Sequence, residues 1–278
     1  AERLVKENLK LVDVVVELLD ARIPMSSANP VLREIVGDKP RLIVLNKADL
    51  ADDTATRAWV KYFAEQELVA VPVDAVKGRG VKELVQAITK CAKPKTDKLV
   101  QHGAKARAAR CMILGIPNVG KSSLINRLSG GSKTKVENRP GVTRAKQWIR
   151  LGAQLELLDM PGILWPKFED QQAALHLAFT GAINDNVYDV ASVVLLLLDT
   201  LRTAYPSALM ERYRLEGELP TGLELLEEIG RKRGCLRAGG KIDYEKAEQI
   251  VLTDFRSGRL GCVTLDTLPF IESAEDAR

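Results

Sequence analysis

Three polar loops, each closing a short apolar run, restrict what this chain can fold into. Asn46-Lys47-Ala48-Asp49 follows the run at 41–45, and Gly115-Ile116-Pro117-Asn118-Val119-Gly120-Lys121-Ser122 follows the run at 111–114. Asp159-Met160-Pro161-Gly162 follows the run at 155–158. Short Val/Leu/Ile-rich runs closed in this way read as parallel strands whose carboxyl ends carry ligand-binding groups. Further runs at 12–19, 69–73 and 147–151 bring the strands to six, alternating with helical stretches at 2–11, 54–66, 81–90 and 121–128. This alternation predicts an α/β fold with a doubly wound, mostly parallel six-stranded sheet.

Past about residue 164 the strand signals stop. Apolar helical stretches broken at Pro206, 220–222, Gly234 and 239–240 predict a smaller C-terminal α-helical domain. The expected division is a sheet-bearing domain over 1–165 and a helical domain over 166–278. A basic segment at about 92–110 contains the polar, Pro-bearing stretch 93–98, which reads as a linker.

The loop from Gly115 to Ser122 has the spacing of a phosphate loop between strand and helix. Its glycines let successive N–H groups face a β-phosphate, and the helix N-terminus adds positive potential. Val119 and Gly120 lend backbone N–H groups, Lys121 reaches phosphate oxygens, Ser122 binds Mg2+, and Ser123 continues the cradle. Asp49 can accept two hydrogen bonds, from N1–H and the 2-amino group of guanine, which adenine lacks. Asn46 and Ala48 would support that loop and the base, with the Lys47 stem along the ring. Taken alone, this tetrapeptide fits a turn or helix cap equally well; the phosphate loop makes it specific. Asp74-Ala75 follows the run at 69–73, where GTPases use Ser-Ala to offer a backbone N–H to guanine O6. Here the backbone role is retained and the side chain differs.

Asp159 is expected to hold Mg2+ through water, and the Gly162 N–H to sense the γ-phosphate. Thr143, in Arg139-Pro140-Gly141-Val142-Thr143, reads alone as a turn hydroxyl, but its place between the phosphate loop and Asp159 makes it the candidate switch threonine for Mg2+ and γ-phosphate. Ile163 stands where Ras-like enzymes place a water-orienting Gln. An aliphatic side chain cannot hold water, so slow intrinsic hydrolysis is expected, completed by a partner or a cation. The Asn118 carbonyl oxygen would complete a K+ site beside the phosphates. Of the two histidines, His176 reads as a packed or capping residue and His102 as solvated.

The four cysteines, Cys91, Cys111, Cys235 and Cys262, show no paired spacing, so isolated thiols in a reducing cytoplasm are expected. The longest apolar run, 191–198, is too short to cross a bilayer. A net charge of +4 is mild, but seven bases against one acid between Lys90 and Arg110, and six against one between Lys133 and Arg150, favour a polyanion such as RNA. Arg231-Lys232-Arg233-Gly234-Cys235-Leu236-Arg237 is a further basic patch, equally readable as a helix C-terminus that complements the helix dipole.

These residues resemble the circularly permuted GTPases of the YlqF/RbgA type. The likeness rests on the base-reading motif preceding the phosphate loop, on Asp20-Ala21-Arg22-Ile23-Pro24, on the loop through Ser123 and on Asp159-Met160-Pro161-Gly162-Ile163. It continues into the tail at 251–261, covering essentially the whole chain. The resemblance implies a GTP-dependent factor for late assembly of the large ribosomal subunit, stimulated in hydrolysis by that particle and then released. It also implies a Gly-His-Met-containing segment ahead of the position that is Ala1 here. A monomer binding GTP or GDP and a large-subunit precursor (rRNA and ribosomal proteins), away from membranes, is the expectation. Two other classes fit the residues, an RNA-binding scaffold with a structural nucleotide and a protein-directed signalling GTPase. The full set Lys121, Ser122, Thr143 and Asp159 disfavours the first, and the basic stretches disfavour the second.

Overall fold

The structure, a computed structural model, describes residues 2–130, 136–137, 147–151, 154–159 and 170–269. Its sheet contains β1 (Val14–Asp20), β2 (Arg41–Asn46), β3 (Val69–Val73), β4 (Ala109–Gly115), β5 (Val136–Glu137), β6 (Gln147–Leu151) and β7 (Leu155–Asp159). The spatial order is β3-β2-β1-β4-β7-β6-β5. The first five strands run parallel, while β6 and β5 are antiparallel additions at one edge. All six expected strands are present, and the two-residue β5 extends the antiparallel edge.

Helices cover both faces of the sheet. They are α1 (Glu2–Leu9), α2 (Leu32–Val36), α3 (Asp53–Glu65), α4 (Val81–Gln101) and α5 (Lys121–Leu128). Strand β1 is buried at every residue because both of its faces are covered. Val14, Val16 and Leu18 join Leu84 and Ile88 of α4 and Leu124 of α5, whereas Leu19 meets Trp59 and Phe63 of α3. Val15 packs with Val5 of α1 and Leu32 of α2. The two-residue alternation of strand side chains thus assigns each helix its face.

Five further helices follow: α6 (Gln171–Phe179), α7 (Val190–Ala204), α8 (Pro206–Tyr213), α9 (Gly222–Lys232) and α10 (Tyr244–Arg256). Asp170, Asp189 and Asp243 cap α6, α7 and α10, each side chain accepting a hydrogen bond from the first turn. The cluster containing Val16 and Leu124 continues through Leu197 of α7, Leu226 of α9 and Phe255 of α10, so apolar packing runs unbroken from the sheet into these helices. Among the described residues no single helix is long and apolar enough to cross a membrane; α7 and α8 are apolar together but meet at 111°.

The linker expected at 93–98 is instead helix. α4 runs through Pro94 to Gln101, and only 102–108 lack regular structure. Pro94 and Lys90 are exposed, so the carbonyl deprived of its helical N–H lies on the wet side, where water replaces the bond. The polar side chains of this stretch are anchored. Lys95 pairs with the buried Asp13 at 2.9 Å, and Arg107 binds both Asp13 oxygens at 2.8 and 2.9 Å. Burial alone would raise the Asp13 carboxyl, but Arg107, the Arg110 N–H and Lys95 hold it at about 2. This cluster clamps the junction between α4 and β4 onto the start of β1.

Candidate nucleotide site

Strand order reverses between β1, which leads outward to β2 and β3, and β4, which leads to β7. Such a switch point opens a crevice at the carboxyl ends of the strands. Asp20 pairs in register with Asn46, and Leu18 pairs with Gly115, so loops 46–49 and 115–122 emerge on either side of β1. They touch. Asn46 Nδ2 donates to the Val119 carbonyl at 2.8 Å, and Lys47 Nζ donates to the Asn118 carbonyl at 2.8 Å.

The phosphate loop has the backbone its sequence requires. Asn118 and Gly120 have φ of 58° and 96°, and α5 begins at Lys121. A Cβ on Gly120 would stand 2.3 Å from Asn46 Nδ2, so the approach of the two loops demands glycine there. Ser122 and Ser123 are exposed in the first turn of α5, at the mouth of the crevice. Asp159 ends β7, the parallel neighbour of β4. Ser122, just past β4, and Asp159 therefore lie at the carboxyl ends of adjacent strands. A hydroxyl and a carboxylate are residue types that suit Mg2+, which takes one or two protein ligands and completes its shell with phosphate oxygens and water. Thr143 and Gly162 lie outside the described residues.

In the 46–49 loop, Asp49 is half-buried, and neither carboxylate oxygen is engaged among the described residues. Its loop is held from behind by the segment after α10. Val263 N donates to the Leu50 carbonyl at 2.9 Å, Thr264 Oγ1 accepts from Asp52 N at 3.1 Å, and Cys262 Sγ lies 3.4 Å from the Asp49 carbonyl. Gly258, with φ of 74°, leaves room for Leu50 Cδ2, which a Cβ would meet at 2.5 Å. The tail ends on a buried cluster. Asp266 Oδ1 is 2.7 Å from His176 Nδ1 and accepts from Ser26 Oγ at 2.6 Å. Ser26 Oγ and Asp266 both address His176 Nδ1, so this is a packing contact and not a relay.

Asp74 is buried and builds a turn: its Oδ1 accepts from Val76 N and Lys77 N at 3.1 and 2.9 Å. The adjacent Ala75 N–H donates to Asn46 Oδ1 at 3.3 Å, and the Ala75 carbonyl accepts from Arg127 Nε at 3.2 Å. This places the 74–75 turn, Asn46 and α5 in one hydrogen-bonded group beside the crevice.

The sequence offered no role for Asp20 and Arg22. Both are buried, and Arg22 binds the two Asp20 oxygens at 2.9 and 2.8 Å. Lys47 Nζ reaches the same carboxylate at 2.9 Å. Burial works to raise Asp20, but the Arg22 and Lys47 cations overcome it and hold the carboxyl far below its usual range. Arg22 also lies over the Phe255 ring, 5.4 Å from its centroid, close to the last carbonyls of α10. Asp20 thus orients Lys47 toward the phosphate loop while Arg22 ties that ion pair to α10. The available signal was its place: like the other site residues, Asp20 ends an apolar strand of the parallel sheet.

Several predicted basic residues are internally paired. Lys95 and Arg107 serve Asp13, and Arg110 binds Glu156 at 2.9 Å. In the 231–237 patch, Arg231 pairs with Glu227, Arg237 with Asp243, and Arg233 donates to the Arg212 carbonyl and lies over Tyr213. Lys90, Lys93, Lys98, Lys105 and Lys232 remain exposed.

The family described as "50S ribosome-binding GTPase" matches residues 110–223. Ribosome biogenesis GTPase A of Bacillus cereus is 50% identical over 99% of this chain and 94% of its own length. Mitochondrial ribosome-associated GTPase 1 of mouse is 34% identical over 94% of this chain and 85% of its own. The GDP-bound structure of YlqF from Thermotoga maritima superposes with a TM-score of 0.70 at 28% identity, covering 95% of this chain and 98% of that one. With the base-reading strand ahead of the phosphate loop and both loops in contact across β1, the chain belongs to the ribosome biogenesis GTPase A (YlqF/RbgA) family of circularly permuted GTPases.

Proposed function

We propose that this protein is a GTP-hydrolysing assembly factor acting late in maturation of the large ribosomal subunit, with slow intrinsic turnover that the particle accelerates. The observation that carries the nucleotide site is the pair of contacts from Asn46 and Lys47 to the carbonyls of Val119 and Asn118. One guanine nucleotide then spans from the Asp49 carboxylate to the N–H groups of Val119, Gly120 and Lys121. Asp49 reads the base, Ala75 flanks it, and Lys121 neutralises charge developing on the phosphates. Ser122 and Asp159, with Thr143, would hold Mg2+, which supplies charge neutralisation between the β- and γ-phosphates. Asn118 Nδ2 is committed to a protein carbonyl, which leaves Oδ1 as the ligand atom for K+. Gly162 would register the γ-phosphate.

On this reading, residues 1–165 form the nucleotide domain and 166–278 a helical domain that contacts rRNA or ribosomal protein in the cytoplasm, with the protein a monomer. The exposed lysines of α4 and α9 supply phosphate contacts. The test is GTP turnover and co-sedimentation with purified large-subunit particles, at several salt concentrations. Stimulated turnover and salt-sensitive binding favoured by a GTP analogue are expected. Unchanged turnover with no nucleotide-dependent binding would transfer the protein to a signalling role.

A further inference from the structure

The phosphate loop is gripped from two sides. Lys47 holds the Asn118 backbone carbonyl, and the Asn118 side chain donates from Nδ2 to the Gly181 carbonyl at 2.7 Å. A carbonyl oxygen only accepts, so the amide turns its nitrogen to Gly181 and its oxygen away. Gly181 lies just past the end of α6, in a turn fixed by one residue of α10. Arg256 donates from Nε to the Phe179 carbonyl at 3.1 Å and from a terminal nitrogen to the Ala178 carbonyl at 2.9 Å. Its guanidinium is oriented by both Asp185 oxygens at 2.9 and 2.7 Å. A cation there also complements the negative end of α6.

The contact is poised for exchange. Asn118 is exposed, and a groove of about 1170 Å³, lined by Pro117, Asn118, Gly181, Asp185, Tyr188 and Arg256 among others, runs beside it. A single exposed hydrogen bond contributes on the order of 1 kcal/mol. Breaking it therefore costs little, whereas the buried Leu177 and Phe179 keep α6 itself seated in the core.

We propose that the Gly181 carbonyl, in the turn whose Ala178 and Phe179 carbonyls Arg256 holds, is the group that positions the Asn118 side chain, so that the seating of this turn against the phosphate loop sets the rate of GTP hydrolysis. Gly181 and Arg256 are positioning groups that act through Asn118. The inference rests on the phosphate-side role of Asn118 given above.

The experiment is steady-state GTP turnover and GDP affinity of the full chain carrying Asn118→Ala, Arg256→Ala, Asp185→Ala and the two doubles that include Asn118→Ala. Asn118→Ala and Arg256→Ala should each lower kcat roughly tenfold, while GDP affinity stays within about twofold. Asp185→Ala, which loosens Arg256 and releases the Tyr188 hydroxyl, should give a smaller loss in the same direction. Each double should be no slower than Asn118→Ala alone. Losses that multiply in the doubles, or folded Arg256→Ala and Asp185→Ala proteins with wild-type kcat, overturn the proposal. If Arg256→Ala does not fold, Asp185→Ala and its double decide alone. Wild-type kcat in Asn118→Ala would instead remove the role of Asn118 on which the proposal rests.

Discussion

Asn46 Nδ2 donates to the Val119 carbonyl at 2.8 Å, joining two loops separated by 73 positions of sequence. Asn46 is buried, and its Oδ1 simultaneously accepts from Ala75 N. Replacing it by Ala leaves a buried acceptor and a buried donor unpaired, at about 1–3 kcal/mol each. Asn46→Ala should therefore weaken GDP binding by roughly 10- to 100-fold, measured by titration with a fluorescent nucleotide. Affinity within about twofold of wild type would deny that this contact shapes the site.

Arg22 supports a different prediction, about stability. It satisfies Asp20 through two hydrogen bonds inside the protein, and breaking a buried pair by removing one partner costs about 3–5 kcal/mol. Lys47 remains to neutralise Asp20, which places Arg22→Ala at the lower end of that range. A fall in melting temperature of roughly 5–10 °C in scanning fluorimetry is expected. A fall under about 2 °C would show that the network contributes little.

The buried Asp13 makes stability depend on pH. Its carboxyl titrates near 3.8 when unfolded and at about 2 when folded, because Arg107, Arg110 N–H and Lys95 outweigh burial. The folded state thus favours the charged form. The gain is complete above the unfolded value and disappears as pH falls from about 4 through about 2, on the order of 2 kcal/mol. Urea unfolding between pH 5 and 2 should show a shallower acid loss for Asp13→Asn than for wild type. Superimposable slopes would contradict the assignment.

The sheet was legible because strands covered on both faces must be mostly apolar, as β1, β2 and β4 are apart from Glu17, Arg110 and their end residues, and because glycine and polar residues mark their carboxyl ends. The loops at 46–49 and 115–122 stood out for a related reason, since phosphate and guanine each demand particular residues at fixed spacing, and the fold brings the two loops into contact. α4 was cut short at Lys90 because Pro94 signals a break, yet exposure of its solvent face lets the helix continue. The tail over the base-reading loop was hidden because Val263 and Leu265 hold it through backbone N–H groups, which every residue but proline carries. Asp20 and Arg22 entered only as part of a motif that carries the resemblance, since nothing local announces that Lys47 and α10 meet there.

The central claim is that Asp49 and Lys121, carried past the ends of separate strands, serve one guanine nucleotide. Isothermal titration of Asp49→Asn with GTP and with xanthosine triphosphate tests it most directly. An amide presents a donor and an acceptor where the carboxylate accepts twice, so preference should invert toward xanthosine by roughly 10- to 100-fold. Binding of the xanthosine nucleotide should still require Lys121. Undiminished GTP affinity in Asp49→Asn, or xanthosine binding untouched by Lys121→Ala, would separate the two residues and contradict the account.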